Sequence, residues 1–152
     1  MSQVLLEVRD LVKKFNLSKG FLQDVSFEKG RFIKRQKFVH AVNDVSFYIK
    51  KGEVFSLVGE SGCGKSTTAR LIVKLEELTS GKISFEGKDI TDLDSEKMLP
   101  YRKKMQMVFQ NPYASLNPRH TILKSLTEPM LFHKIAKTSK EAREKAVDLL
   151  EK

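Results

Sequence analysis

A chain of 152 residues, 40% apolar and 31% charged, has the composition of a packed globular domain, and its length suits one domain or a piece of a larger one. A single cysteine, Cys63, and three scattered histidines, His40, His120 and His133, exclude a disulfide-stapled mini-protein and a zinc module. The formal net charge of +9 is concentrated in residues 1–51, where 11 Lys/Arg stand against 5 Asp/Glu, so it describes one segment rather than the whole surface.

In chain order, Val4 to Val8 is a short aliphatic run and reads as a strand. Residues 16–38 carry Gly20, Gly30 and many charges without a clear period, as an insertion or long hairpin connection does. Their densest part, Lys29, Arg31, Lys34, Arg35 and Lys37 around Phe32 and Ile33, reads first as a solvated loop; phospholipid head groups and nucleic acid are the alternatives. Ala41 to Ile49 alternates Val45, Phe47 and Ile49 and predicts a second strand. Glu53 to Val58 predicts a buried strand that stops at a glycine loop, Gly59 to Gly64, and Thr67 to Leu75 then predicts a helix.

Farther on, Lys82 to Phe85 and Met105 to Phe109 are strand candidates, with Ser95 as the cap of a short helix between them. Thr121 to Phe132 and Ser139 to Leu150 predict two helices, the first kinked or ended by Pro129 and the second capped by Ser139. No apolar run reaches the roughly 18 residues of a bilayer span and Met1 opens no basic-then-apolar leader, so cytosolic residence is expected.

Gly59-Glu60-Ser61-Gly62-Cys63-Gly64-Lys65-Ser66 satisfies GxxxxGK[ST] between a predicted strand and a predicted helix. Glycines let the backbone turn its N–H groups around a phosphate, and the positive end of the helix dipole near Lys65 faces the anion. Lys65 supplies a mobile cation for the β- and γ-phosphates, Ser66 a hydroxyl for Mg²⁺, and Thr67 a donor for the α-phosphate. Cys63 reads as a small loop residue, with a redox switch as the alternative, because no resolving thiol accompanies it. The guanine-reading NKxD tetrapeptide does not occur in the sequence, which argues against a GTPase.

GESGCGKS followed by TTARL, together with MQMVFQNPYASLNPRHTI at 105–122, resembles the ATP-binding cassette (ABC) transporter ATPases. HAVNDVSF at 40–47 and PYASLNPR are more narrowly similar to the ATPase subunits of oligopeptide/dipeptide importers, some relatives of which carry nickel. The resemblance implies an α/β fold, a P-loop NTPase core over 1–112 with the basic insertion at about 16–38, leading into a helical subdomain that starts at 113–152. It implies ATP and Mg²⁺ as ligands, held by Gly59, Glu60, Ser61, Gly62, Cys63, Gly64, Lys65, Ser66 and Thr67. Lys65 and Gln110 take catalytic roles, Ser66 and Gln110 ligate the metal, and Gln110 matches the Q-loop glutamine. Phe15, at the end of LVKKF, is the positional match to the adenine-stacking aromatic, with Phe38 and Phe32 as alternatives.

The implied partners are transmembrane permease subunits, a homologous ATPase in a head-to-tail dimer and, indirectly, a substrate-binding protein, with no nucleic acid. The implied location is peripheral, on the cytoplasmic face of the membrane. Asn111 stands where the family usually has Asp, and Leu78 where it often has Pro. The LSGGQ-type signature, the Walker B aspartate with its catalytic glutamate, and the switch histidine have no counterpart in these 152 residues. The expectation is therefore an N-terminal half that binds nucleotide without turning it over and aggregates through open sheet edges. A stand-alone nucleotide-binding or regulatory module and a nucleic-acid-linked ATPase are the competing readings.

Overall fold

The computed structural model describes residues 3–17, 25–28, 31–34, 37–111 and 115–152, in two compact units, Met1–Arg102 and Lys103–Lys152. The boundary anticipated at 112–113 falls within the second unit.

The first unit is built on four antiparallel strands in the order β4-β1-β5-β6, with β1 Val4–Asn16, β4 Phe38–Lys50, β5 Ser80–Phe85 and β6 Lys88–Asp89. Both long strands exceed their predicted lengths because bulges interrupt the apolar alternation without ending the pairing, with shifts at Val8/Leu11 and Lys13/Lys14. Asp10 and Asp44 take positive φ in these strands, and the Ser46 hydroxyl accepts from Asp10 N at 2.8 Å and lies 3.1 Å from Asp10 Oδ1. Glu86 and Gly87, both at positive φ, close β5 onto β6 in a two-residue turn of the kind that matches strand twist. Within the predicted insertion the backbone forms a separate hairpin, β2 Val25–Glu28 with β3 Arg31–Lys34; Gly20 and the side chains at 18–36, including Phe32 and most of the basic cluster, lie outside the described residues.

Two predicted strands are corrected. Glu53–Val58 and Met105–Phe109 join no sheet among the described residues, and Val54, Val58 and Val108 are more than nine-tenths exposed. A buried strand needs ladder partners for its backbone, and neither segment has one among the described residues. Phe55 instead stacks on Phe47 of β4, ring centroids 4.8 Å apart. The core of this unit is formed by Leu6, Val8 and Leu11 of β1, Val42, Ile83, Ile90, and two helical residues, Leu71 of α1 (Lys65–Ile72) and Met98 of α2 (Ser95–Arg102).

The helix ends show which local signals won. The cap of α2 is Asp94 rather than Ser95: its carboxylate accepts from Lys97 N at 2.8 Å, which holds that carboxyl below its ordinary pKa. In the second unit α3 runs Ile122–Phe132 straight through Pro129, capped by Thr121, and α4 runs Ser139–Leu150, capped by Thr138 rather than Ser139. Glu141 Oε2 accepts from Lys137 N at 2.8 Å while Thr138 accepts from Glu141 N, a reciprocal arrangement close to a capping box. Ala136, Ala142 and Ala146 are buried in this unit. Helices α1 and α3 both end in a paired 5→2 and 6→1 hydrogen-bond motif with a lysine, Lys74 or Lys134, in the left-handed position usually given to glycine.

Gly81, the second residue of β5, sits at φ +108, and a Cβ there would lie 2.5 Å from the Asp10 carbonyl oxygen and 2.8 Å from that of Arg9, at the bulge of β1. Gly81→Ala is expected to destabilise the first unit by about 2–3 kcal/mol through strain and backbone overlap. A urea titration followed by circular dichroism checks this, and an unchanged midpoint contradicts it.

Candidate nucleotide-phosphate site

The loop 59–64 reaches α1 without helix or strand and delivers Gly64 as the residue before the helix. Gly64 sits at φ +100 in the left-handed region, and it presses directly on β4: a Cβ would fall 2.2 Å from the Ala41 carbonyl oxygen. Only a residue without a side chain allows that approach. Because Gly64 has no side chain to accept from the first turn, the N–H groups that open α1 have no side-chain cap and face outward at the positive end of the helix dipole. Such a terminus suits a phosphate.

Lys65 folds back over the loop. Its ammonium donates to the Gly59 carbonyl at 2.7 Å and the Glu60 carbonyl at 2.5 Å and lies 3.4 Å from Cys63 Sγ. A lysine has three donors, so a phosphate oxygen entering the loop exchanges with one of these contacts rather than recruiting a distant cation. Cys63 is exposed, yet its sulfur fills the space beside Gly59, where a Cβ would lie 2.8 Å from Sγ. That contact gives the small Cys63 a packing role in the loop. Thr68, buried, ties the first turn to the loop by donating its hydroxyl to the Gly64 carbonyl at 3.0 Å. The sequence reading passed over Thr68; its place one turn past the loop glycine was the available signal. Ser66 is exposed and Thr67 half-buried on the same turn, while Glu60, Ser61 and Gly62 are exposed in the loop.

A cleft of about 340 Å³ opens beside the loop between β4 and the segment 57–65, lined by His40, Ala41, Val42, Cys63, Gly64 and Lys65 among others. The structure thus brings His40 and the beginning of β4 to the phosphate loop, a neighbourhood that spacing in the sequence did not reveal. Phe15 does not line this cleft; it lies on β1 opposite Val39, half-buried, with the Lys13 ammonium 4.7 Å from its ring centroid. Phe38 is exposed on β4. Gln110 belongs to the second unit, exposed at the end of the irregular segment that replaces the predicted strand. That unit carries its own cleft of about 500 Å³ around Asn117, His120, Glu128, Phe132 and His133. No group of three His, Cys, Asp or Glu side chains placed to hold a metal occurs among the described residues.

Residues 42–152 match the ABC transporter family. The chain is 47% identical over 131 residues to the oligopeptide transport ATP-binding protein OppF of Bacillus subtilis, a match covering 86% of this chain and 43% of OppF. It is 46% identical over 125 residues to the dipeptide transport ATP-binding protein DppF of Haemophilus influenzae, covering 82% of this chain and 38% of DppF. Among solved structures, a dimeric ATP-binding cassette in a post-hydrolysis state bound to ADP and Pi is similar with a TM-score of 0.74 and 26% identity, over 97% of this chain and 56% of that one. The chain spans about two-fifths of the length of the curated relatives it matches.

Gly64→Ala is expected to weaken ATP binding at least tenfold, because the helix start cannot keep its seat on Ala41. Gly62→Ala, at φ +81 but with no atom within 4 Å of the added carbon, is expected to lower folding stability by about 1–2 kcal/mol while leaving ATP affinity within about threefold, because the same backbone strain is present in the free and the bound loop. Calorimetric titration of both variants with ATP checks the contrast, and equal affinities contradict it.

Proposed function

The chain belongs to the ABC transporter family, and from that premise we propose that it is the ATP-binding part of a subunit that couples ATP hydrolysis to the import of oligopeptides or dipeptides. The observation that carries the phosphate chemistry is the seat of Gly64 on Ala41, which leaves the opening N–H groups of α1 and the Lys65 ammonium at one loop. In this reading the loop from Gly59 to Ser66 wraps the β-phosphate, Lys65 spans the β- and γ-phosphates, and Thr67 donates toward the α-phosphate. The names of OppF and DppF support the peptide class of cargo.

Mg²⁺ fits the donor set as an ion that arrives with the nucleotide. A hard cation would take phosphate oxygens and the Ser66 hydroxyl without needing a carboxylate cage, and the family resemblance assigns the Gln110 amide oxygen as a further ligand. When bound, such an ion would supply positive charge against the transferred phosphoryl group. The chain's own groups bind and orient: loop N–H donors fix the phosphates, Lys65 offsets negative charge, and Gln110 positions water through an uncharged amide. A polypeptide of these 152 residues alone is expected to bind ATP without releasing phosphate, since none of its carboxylates takes the water-orienting role in this reading.

The first unit serves as the nucleotide-binding part, and the segment from Gln110 onward, with α3 and α4, begins a helical subdomain that faces transmembrane permease subunits. A second, homologous ATPase in a head-to-tail dimer completes each site; the solved relative bound to ADP and Pi is itself dimeric, which supports this arrangement. The assembly places the protein peripherally on the cytoplasmic face, with a substrate-binding protein acting through the permease and with no part for nucleic acid.

The test is peptide uptake into vesicles carrying the transporter purified with this protein at its native length. Lys65→Ala is expected to lower ATP-dependent uptake and phosphate release by at least a hundredfold, in line with loss of a phosphate-stabilising charge. Undiminished uptake by the variant, or uptake of a substrate class other than peptides alone, contradicts the proposal.

A further inference from the structure

The basic segment between β1 and β4 takes no part in the phosphate site, and it leaves the sheet at one end of the β1–β4 ribbon. Asn16 pairs with Phe38 there, and the Leu17 N–H donates to the Lys37 carbonyl at 2.8 Å, so the segment departs and returns at one place. Leu17, Phe38 and Val39, the large apolar residues at that end, each keep about half of their surface in solvent, and Lys37 between them is exposed.

Farther along the segment the backbone pairs again. Strands β2 and β3 form a two-stranded sheet of their own, with Val25 opposite Lys34, Ser26 opposite Ile33, Phe27 opposite Phe32 and Glu28 opposite Arg31. Residues opposite each other in an antiparallel pair share a face, so the register places Val25, Phe27, Phe32 and Lys34 on one of them. A solvated loop has no need of paired strands with an aromatic pair at facing positions. A two-stranded hairpin is marginal in water unless its apolar face is covered, and this sheet takes no third strand among the described residues.

The charge says what kind of surface does the covering. Over residues 17–39 six Lys/Arg stand against two Asp/Glu, a net of +4. Cations interleaved with aromatic and aliphatic residues match the head-group layer of an anionic membrane, where lipid phosphates attract Lys and Arg and aromatic rings settle at the interface. Nucleic acid offers phosphates and bases for stacking but no apolar layer for aliphatic residues such as Leu17, Val25 and Val39.

We propose that the end of the β1–β4 ribbon and the β2–β3 hairpin together form a contact for the anionic lipid surface of the membrane, with Arg31, Lys34 and Lys37 meeting lipid phosphates and Leu17 and Phe27 meeting the apolar edge of the head-group layer. The inference rests on the peripheral membrane location proposed above, which brings lipid within reach, and it gives the protein a hold on the membrane besides its permease.

The test is co-sedimentation of the protein at its native length, without permease, with vesicles of phosphatidylcholine alone and of phosphatidylcholine containing about one-third phosphatidylglycerol. The wild type is expected to bind the anionic vesicles about tenfold or more tightly than the neutral ones and to lose most of that preference between about 0.05 and 0.5 M salt. Arg31→Gln combined with Lys34→Gln is expected to weaken anionic-vesicle binding by about tenfold, and Phe27→Ser by about threefold with the charges intact. Both variants are expected to keep ATP affinity within about twofold, since they lie outside the phosphate loop. Equal binding of the wild type to neutral and anionic vesicles, or anionic binding that neither variant alters, overturns the proposal. So does duplex DNA that displaces the wild type from anionic vesicles and loses affinity in the double variant, which assigns the cations to nucleic acid. Peptide uptake by the assembled transporter separates the two levels: absent uptake strikes the importer reading, whereas uptake without a preference for anionic vesicles strikes the lipid contact alone.

Discussion

One backbone contact organises the site: the α-carbon of Gly64 against the carbonyl of Ala41. A helix start carries unsatisfied N–H groups and a positive dipole end, and its usefulness to an anion depends on where it is held and on what else competes for those donors. Here the antiparallel sheet holds it. The bulge in the β1–β4 ladder near Lys13 and Val42 leaves Ala41 outside the register, and Gly64 lies against its carbonyl. The sheet therefore positions the loop through a place where its own pairing is irregular, and the absent side chain at Gly64 leaves the helix donors uncapped.

The surrounding groups reinforce that arrangement. Thr68, buried on the next turn, bonds back to the Gly64 carbonyl, so the first turn and the loop move as one piece. Cys63 fills the space beside Gly59, and Lys65 bonds to two loop carbonyls, which holds the ammonium at the mouth of the loop. These contacts are short in sequence, within a span of ten residues, and so add little loop-closure entropy to the ordering of the site. The longer-range cost is borne by the β1–β4–β5 ladder, whose residues Leu6, Val8, Leu11 and Ile83 form the core next to which α1 buries Leu71.

The sequence made the phosphate loop legible because four fixed residue types at fixed spacing each answer a requirement of anion binding. The same reading placed Glu53–Val58 and Met105–Phe109 in strands, since apolar runs of strand length look alike whether or not a ladder partner exists; pairing is a property of the sheet, and periodicity does not carry it. Caps were missed by one residue at Asp94 and Thr138 because a Ser followed each of them, and both residues of such a pair satisfy the capping preference. The extension of β1 to Asn16 was hidden by bulges, which break alternation while leaving the hydrogen bonds in place. Lys74 and Lys134 in left-handed helix ends had no signal at all, because the motif normally announces itself with glycine. The nearness of His40 to the loop was likewise not readable, since it depends on how β4 passes Gly64 in space.

Hydrogen exchange of the backbone amides, read with and without Mg²⁺–ATP on the protein at its native length, tests the central claim most directly. The account predicts slowed exchange across 60–67, where loop and first-turn N–H groups turn to the phosphates, with a smaller effect at 40–42 where β4 supports Gly64. Exchange in 60–67 that is unaltered by saturating Mg²⁺–ATP, with protection appearing elsewhere in the chain, would contradict it.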